Sequence, residues 1–160
     1  MARVLADTAD ESALVEGDAF FGFLASGAIE PWLAGSNDQN TVVTRAAAAA
    51  AGQFASGGYL TVYDGVVGPW FLATFAAGTG LDRLDYVALL PSVDDCIQRV
   101  AGRTGHGFTD EAATRKMHDA FAAAVIDERH VLREPPGDAT AVAALVRDAR
   151  ERGCFTYTTP

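Results

Sequence analysis

The chain lacks most of what a triphosphate-binding loop or a basic surface would need. Lys116 is its one lysine, and no Gly-x-x-x-x-Gly-Lys-Ser/Thr segment, the motif that cradles nucleotide phosphates, occurs in the 160 residues. Twelve Lys and Arg residues stand against 21 Asp and Glu residues, which gives a net charge of −9. Nucleic acids and anionic membranes both bind basic surfaces, so we expect neither as the main partner.

Cysteines and long apolar runs are scarce as well. Cys96 and Cys154 form no Cys-x-x-Cys pair and no cluster with histidine, which is typical of reduced thiols in a cytoplasmic protein. The first residues are acidic and contain no apolar signal-peptide core. No apolar stretch is long enough to cross a bilayer. We therefore expect a cytoplasmic protein without a membrane partner.

What is present is an alternation of strand-like and helix-like segments. The length and the 49% hydrophobic content predict a single domain over residues 1–160. Strands are predicted over residues 12–15, 59–63, 85–90 and 129–132, and helices over 2–6, 38–56, 69–75, 92–102, 109–125 and 139–152. The strands are continuous apolar runs separated by helices, which predicts an α/β fold with a parallel sheet covered on both faces. The long helix is predicted to bury one face, formed by Val42, Val43, Ala46, Ala50 and Phe54.

Acidic residues follow two of the predicted strands. Glu16 and Asp18 follow the first strand, and Asp64 follows the second. Ligands of parallel sheets collect at the carboxyl ends of the strands, where a carboxylate can hold Mg²⁺ or take a proton from a hydroxyl. Asp18 is the best candidate for such a base. The alternative is that Asp18 caps a helix that starts at Ala19.

Apolar and glycine residues near these acids could form a pocket for a small molecule. Phe20, Phe21 and Trp32 lie between the first two strands, where an acceptor pocket would form. After the second strand, Gly65 lets the backbone approach a ligand, and Trp70 offers a flat apolar wall. The alternative is a packed loop and a plain strand-to-helix turn with a core tryptophan.

Two arginines precede a glycine-rich segment. Arg99 and Arg103 are four residues apart and share a helix face if the helix continues that far. Paired arginines beside a mobile loop suit phosphoryl transfer, in which negative charge builds on the migrating group. The alternative is a pair of solvated surface arginines.

Together these segments resemble a known family, the P-loop small-molecule kinases of the nucleoside-monophosphate-kinase type. That group holds shikimate kinase, gluconate kinase and chloramphenicol phosphotransferase, as well as uncharacterised bacterial proteins called AAA family ATPases. Residues 14–21 (LVEGDAFF) are similar to the family's hydrophobic-Asp-Gly-Asp-x-Phe segment, and residues 59–70 resemble its Walker-B-like strand and glycine turn. Residues 99–105 resemble the start of a lid around 99–110, and residues 2–6 resemble the helix that follows Gly-Lys-Ser/Thr.

The resemblance implies ATP-dependent phosphoryl transfer to a hydroxyl of a small molecule, with ATP and Mg²⁺ as cofactors. It makes Asp18 the base and places Glu16 and Asp64 near the magnesium ion. Arg103, together with Arg99, would be the lid cation over the phosphates. Glu16 stands where the family often has aspartate.

The missing Walker A loop is the main departure from the family pattern. The resemblance therefore predicts a three-layer sandwich with a mostly parallel sheet that lacks its first, central strand, so that a gap separates two pairs of strands. Such exposed edges favour pairing with another chain. We expect either a sequence that starts too late or a degenerate paralogue that repacks or forms a homodimer.

Two functions therefore stay open at the level of sequence. One is a kinase that binds ATP poorly as written, and the other is a non-catalytic kinase-like module that binds a small molecule. A hydrolase of the α/β class is disfavoured, because no serine lies in a Gly-x-Ser-x-Gly motif.

Overall fold

The computed structural model describes residues 1–102, 110–135 and 137–159. Its α-helices are α1 (Ala2–Ala6), α2 (Gly17–Phe21), α3 (Asn37–Ser56), α4 (Pro69–Thr79), α5 (Val93–Ala101), α6 (Glu111–Ala123) and α7 (Ala139–Glu151). Its strands are β1 (Ser12–Glu16), β2 (Leu60–Asp64), β3 (Arg83–Asp85), β4 (Ala88–Leu90), β5 (Val131–Arg133) and β6 (Thr156–Thr158). The fold is mixed α/β with small, mostly parallel sheets, which confirms the predicted mixture of helices and parallel strands. The strands form three two-stranded sheets in the described residues, and not the single sheet that was predicted.

The first half of the chain forms a β–α–β unit. β1 and β2 pair in parallel, in a register that runs from Ser12 opposite Leu60 to Glu16 opposite Asp64. The connection between them contains α3, which returns antiparallel to the strands, as a parallel pair requires. The N-terminus of α3 therefore lies at the carboxyl end of β1 and β2.

The second half contributes two further strand pairs. β4 and β5 pair in parallel, with Ala88 opposite Val131, whereas β3 and β6 pair antiparallel. The strand predicted over residues 85–90 is thus two strands with different partners, and β6 was not predicted. Among the residues that the structure describes, no strand ladder joins β2 to β4.

Small residues set the contact between α3 and α4. A Cβ built on Gly52 would lie 2.9 Å from the Cα of Thr79, and one on Gly78 would lie 2.9 Å from the Cβ of Ala48. The helices can approach this closely because these side chains are absent or small.

The face of α3 that the sequence predicted to be buried is wrong except for Val43. The helix buries Ala47, Ala48, Ala51 and Gly52 together with Val43, whereas Val42 and Phe54 are exposed.

Two apolar clusters form the core, and Tyr86 lies between them. One cluster combines Val15 of β1 with residues of α3 and α4, and the other is built on α7 and Phe155, with Met1 and Leu5 of α1 packed against it. The hydroxyl of Tyr86 donates to the Val67 carbonyl (2.7 Å). The backbone oxygen of Tyr86 meets the ring nitrogen Nδ1 of the buried His130 (3.0 Å). His130 therefore belongs to the interior.

Acceptor side chains cap three of the helices. Ser92 caps α5 by accepting from the Asp95 N–H (3.2 Å), and Asp110 caps α6 by accepting from the Ala113 N–H (3.0 Å). Asp138 caps α7 in the same way, whereas α1 to α4 have no side-chain capping bond. In the described part of the chain, no helix combines the length and the hydropathy that crossing a membrane requires.

Candidate functional site

The carboxyl ends of β1 and β2 bring the two predicted metal-binding acids next to each other. Glu16 and Asp64 are partners in the parallel register, and both are exposed. Partner residues project to the same face of a sheet, and Val15 projects into the core on the α3 side. Glu16 and Asp64 therefore project to the same side of the sheet as each other, at the end of the strands where ligands of parallel sheets bind.

Asp18 lies two residues after Glu16. The helix α2 begins at Gly17, so Asp18 lies in the first turn of this helix. The N-cap residue of α2 is Glu16, whose side chain makes no capping hydrogen bond. The alternative interpretation, that Asp18 caps a helix starting at Ala19, is therefore wrong. An exposed carboxylate in the first turn is favoured by the helix dipole.

Tyr63 lies at the ends of both strands, and the sequence did not predict it as part of the site. Its phenol lies against the backbones of Gly17 and Gly65, the residues that directly follow Glu16 and Asp64. A Cβ on Gly65 would come within 2.7 Å of the phenol oxygen, and a Cβ on Gly17 within 2.8 Å of the ring carbon that bears it. The ring also packs on Phe75, with 4.6 Å between ring centroids. Both glycines are thus required for the phenol to occupy this position.

The surroundings of Tyr63 keep its phenol neutral. Burial raises its pKa to about 12, and the negative charges of Asp18 and Asp64 act in the same direction. The phenol is therefore protonated at neutral pH and can donate a hydrogen bond. In the sequence, an acidic residue followed by glycine at the end of each of two strands is the signal that could have indicated the position of Tyr63.

The raised pKa of Tyr63 predicts that the folded protein becomes less stable at alkaline pH. An unfolded tyrosine ionises near pH 10.0 and the folded Tyr63 near 12, so its stabilising effect is complete below pH 10 and disappears as the pH rises through 12. We expect the free energy of unfolding to fall less steeply over this interval in Tyr63→Phe than in the wild type. Urea unfolding at pH 9, 10.5 and 11.5 measures the free energy of unfolding, and Tyr59→Phe, at an exposed tyrosine, is the control. Identical pH dependence in wild type and Tyr63→Phe would contradict the burial of this phenol.

The segment between α2 and α3, residues 22–36, is fixed to the first turns of α3. The side-chain amide of Gln39 donates to the Ile29 carbonyl (2.6 Å) and accepts from the Ile29 N–H (2.7 Å). The amide of Asn40 donates to the Pro31 carbonyl (2.8 Å) and to Ser36 Oγ (3.1 Å). These bonds hold the segment beside the carboxyl end of the sheet, because that is where α3 begins. We call residues 22–36 the acceptor loop.

The aromatic residues predicted to bind substrate separate into two groups. Phe20 and Glu16 line a cleft of about 370 Å³ along β1, together with Arg3 and Phe54. Trp70 lies against Phe121 of α6, with 5.2 Å between ring centroids, and lines a different shallow groove. The structure thus places Trp70 in another groove than Phe20.

The other predicted residues are placed as follows. Phe21 and Trp32 are half-buried on α2 and on the acceptor loop, and Gly65 contacts the phenol of Tyr63. Arg99 lies exposed in the last turn of α5. Arg103, and with it most of the lid predicted around 99–110, falls outside the described residues.

The acids at the strand ends fit one of the two implied cofactors. Mg²⁺ in nucleotide sites is held by one or two carboxylates with water and phosphate oxygens, and the adjacent Glu16 and Asp64 match that donor set. In the described ranges, no group of three or more His, Cys, Asp and Glu side chains is arranged to hold a metal ion. The sequence contains no Gly-Lys loop that could bind the triphosphate of ATP, so the residues present do not fit ATP.

No protein-family model matches the chain. No curated protein sequence matches it either.

Proposed function

We propose that this chain is the acceptor-binding part of a small-molecule phosphotransferase of the P-loop kinase type. The observation that carries the proposal is the register of β1 and β2, which sets Glu16 beside Asp64 at the carboxyl end of a parallel pair. Asp18 follows in the first turn of α2, and Gln39 and Asn40 bind the acceptor loop to the first turns of α3. An acid pair, a candidate base and a fixed loop at one end of a sheet support the binding of a polar small molecule.

The strand pairing supports the same proposal at the level of the fold. We infer that β1–β2 and β4–β5 are the flanks of one parallel sheet in a three-layer sandwich. A further strand, followed by a Gly-Lys loop, would complete the sheet between β2 and β4. α1 supports this arrangement, because it contacts β2 on one side and α7 on the other.

The proposed roles follow from the chemistry of each side chain. Asp18 accepts the proton of the acceptor hydroxyl, and a carboxylate can do so when it lies within hydrogen-bond reach of that proton. Glu16 and Asp64 would hold Mg²⁺, which offsets charge on a transferring phosphoryl group. The neutral phenol of Tyr63 packs against Gly17 and Gly65, the residues that follow the two strand ends. Arg99 and Arg103 would act as lid cations.

A non-catalytic module that binds the same small molecule is the second candidate. It is favoured by the sequence itself, which contains no Gly-Lys loop and has its one lysine, Lys116, exposed on α6. Such a module would use the acceptor loop and Asp18 for binding alone. The two candidates differ in what happens once a donor loop is supplied.

The proposal is tested by supplying that loop. A chain extended at its N-terminus by a β-strand and a Gly-x-x-x-x-Gly-Lys-Ser segment should transfer phosphate from Mg·ATP to hydroxyl compounds, and the 160-residue chain should not. Acceptor-dependent release of ADP measures the reaction. A folded extended chain that binds Mg·ATP and releases ADP at the same rate with and without acceptors would overturn the kinase proposal and favour the binding module.

A further inference from the structure

The hydroxyl group of Tyr63 is not explained by the contacts of the described residues. The ring has a packing role, because it lies on Phe75 of α4 and packs against the apolar cluster that contains Val15 and Ala48. A phenylalanine would fill the same space. The hydroxyl, however, forms no hydrogen bond within the part of the chain that the structure describes. Hydroxyl groups that folding withdraws from water usually have a partner, so this one is an exception.

The hydroxyl oxygen of Tyr63 is reachable from solvent. In the described part of the chain, the fully buried side-chain polar atoms without a partner are Asn40 Oδ1 and His118 Nδ1, and the phenol oxygen is not among them. The phenol oxygen therefore lacks both a partner and a complete cover among these residues. A molecule that binds at this place can supply the partner.

The hydroxyl lies at the carboxyl ends of β1 and β2. A Cβ on Gly17 would meet the phenol oxygen, and a Cβ on Gly65 would come within 2.7 Å of it. These two glycines directly follow Glu16 and Asp64, which are partners in the parallel register. The free hydroxyl is thus placed at the end of the strands where ligands of parallel sheets bind.

The chemistry of a phenol limits what this hydroxyl can bind. A phenol with an ordinary pKa of about 10 is protonated at neutral pH and donates a hydrogen bond. Its partner must have a free lone pair, as the oxygen of a hydroxyl group does. An ammonium group has three donors and no acceptor, so it cannot receive this bond. A donor at this position therefore distinguishes a hydroxyl compound from an amine of similar shape.

We infer that Tyr63 is a ligand-binding residue, whose hydroxyl donates a hydrogen bond to a hydroxyl oxygen of the molecule that binds at the carboxyl ends of β1 and β2. The identification of this oxygen as the one that receives phosphate rests on the proposed function. A hydroxyl group can accept the bond from Tyr63 and still donate its own proton to a base. The binding itself needs no phosphoryl transfer, so it can be tested on the 160-residue chain.

The test uses two probes of similar size, glycerol and 1,3-diaminopropane. Glycerol offers hydroxyl oxygens, whereas 1,3-diaminopropane carries ammonium groups at neutral pH and offers no acceptor. Labelling with ¹³C at the tyrosine Cζ gives one NMR signal for each of the four tyrosines, and Tyr63→Phe identifies the signal of Tyr63. We expect glycerol to shift this signal saturably and to leave the signal of the exposed Tyr59 unchanged.

Two matched variants show whether the hydroxyl acts as a donor. Tyr63→Phe, checked for folding by its amide spectrum, should weaken glycerol binding roughly five-fold, the effect of one neutral hydrogen bond, and should leave the binding of 1,3-diaminopropane unchanged. Tyr59→Phe should leave both unchanged. The amide signals of Gly17 and Gly65 follow the titrations. Equal losses for the two probes in Tyr63→Phe would overturn the inference, as would a glycerol titration without effect on the Tyr63 signal.

A failure of the proposed function would look different from a failure of this inference. The expected response of Tyr63 to glycerol, combined with no transfer by the extended chain, would contradict the kinase and leave the binding role of Tyr63 supported. Transfer to glycerol by the extended chain with a KM for glycerol that Tyr63→Phe leaves unchanged would support the kinase and overturn the role of Tyr63.

Discussion

Replacing Asp18 with asparagine is expected to lower acceptor-dependent phosphoryl transfer by the extended chain about 10²- to 10⁴-fold, the usual contribution of a general base. Asparagine keeps the shape of the side chain but cannot accept the proton of the hydroxyl. Asp18 is exposed on the first turn of α2. The measurement is the transfer rate at saturating Mg·ATP and acceptor.

A matched substitution separates the role of Asp18 from a general effect of charge. Asp10→Asn removes the same charge from an exposed position before β1 and should keep the full rate. If Asp18→Asn and Asp10→Asn turned over equally fast, Asp18 would lose its role as the base.

Gly52→Ala is expected to cause the largest loss of stability among single-methyl additions, about 1–3 kcal/mol, as is typical of overpacking. The added Cβ would meet the carbonyl group of Thr79 in the last turn of α4, where backbone atoms cannot yield without moving the helix. At roughly 2–4 °C per kcal/mol for a chain of this size, the melting temperature should fall by several degrees.

The control for this prediction lies in the same region of the chain. Gly57→Ala adds the same methyl group just after α3, where its nearest neighbour is the Phe54 carbonyl at 3.3 Å. Calorimetry of both variants gives the comparison. A Gly52→Ala protein as stable as Gly57→Ala would show that α3 and α4 do not pack this closely.

The sequence predicted the elements that depend on local pattern. β1, β2 and α3 follow from apolar runs and helix periodicity, and the acids at the ends of β1 and β2 follow from the rule that ligands gather there. The face that α3 buries could not be read in this way. Bulky Val42 and Phe54 look like core residues, but α4 packs on the side where Ala48 and Gly52 permit close approach.

The candidate site was only partly predictable for a similar reason. Glu16, Asp18 and Asp64 lie close to strand ends in the sequence itself. Tyr63 acquires its position from Gly17, which is distant in sequence and adjacent only after β1 and β2 pair. Trp70 was assigned to the acceptor pocket because it follows the Gly65 turn, but its contact is with Phe121 of α6.

The most direct test of the central claim, that the ends of β1 and β2 form one acidic site, is paramagnetic broadening by Mn²⁺ in place of Mg²⁺. Sub-stoichiometric Mn²⁺ added to the ¹⁵N-labelled chain should broaden the amide signals of residues 16–18 and 64–65 together, and Glu16→Gln should abolish both effects. Broadening confined to one of the two strand ends, or unchanged by Glu16→Gln, would contradict the claim.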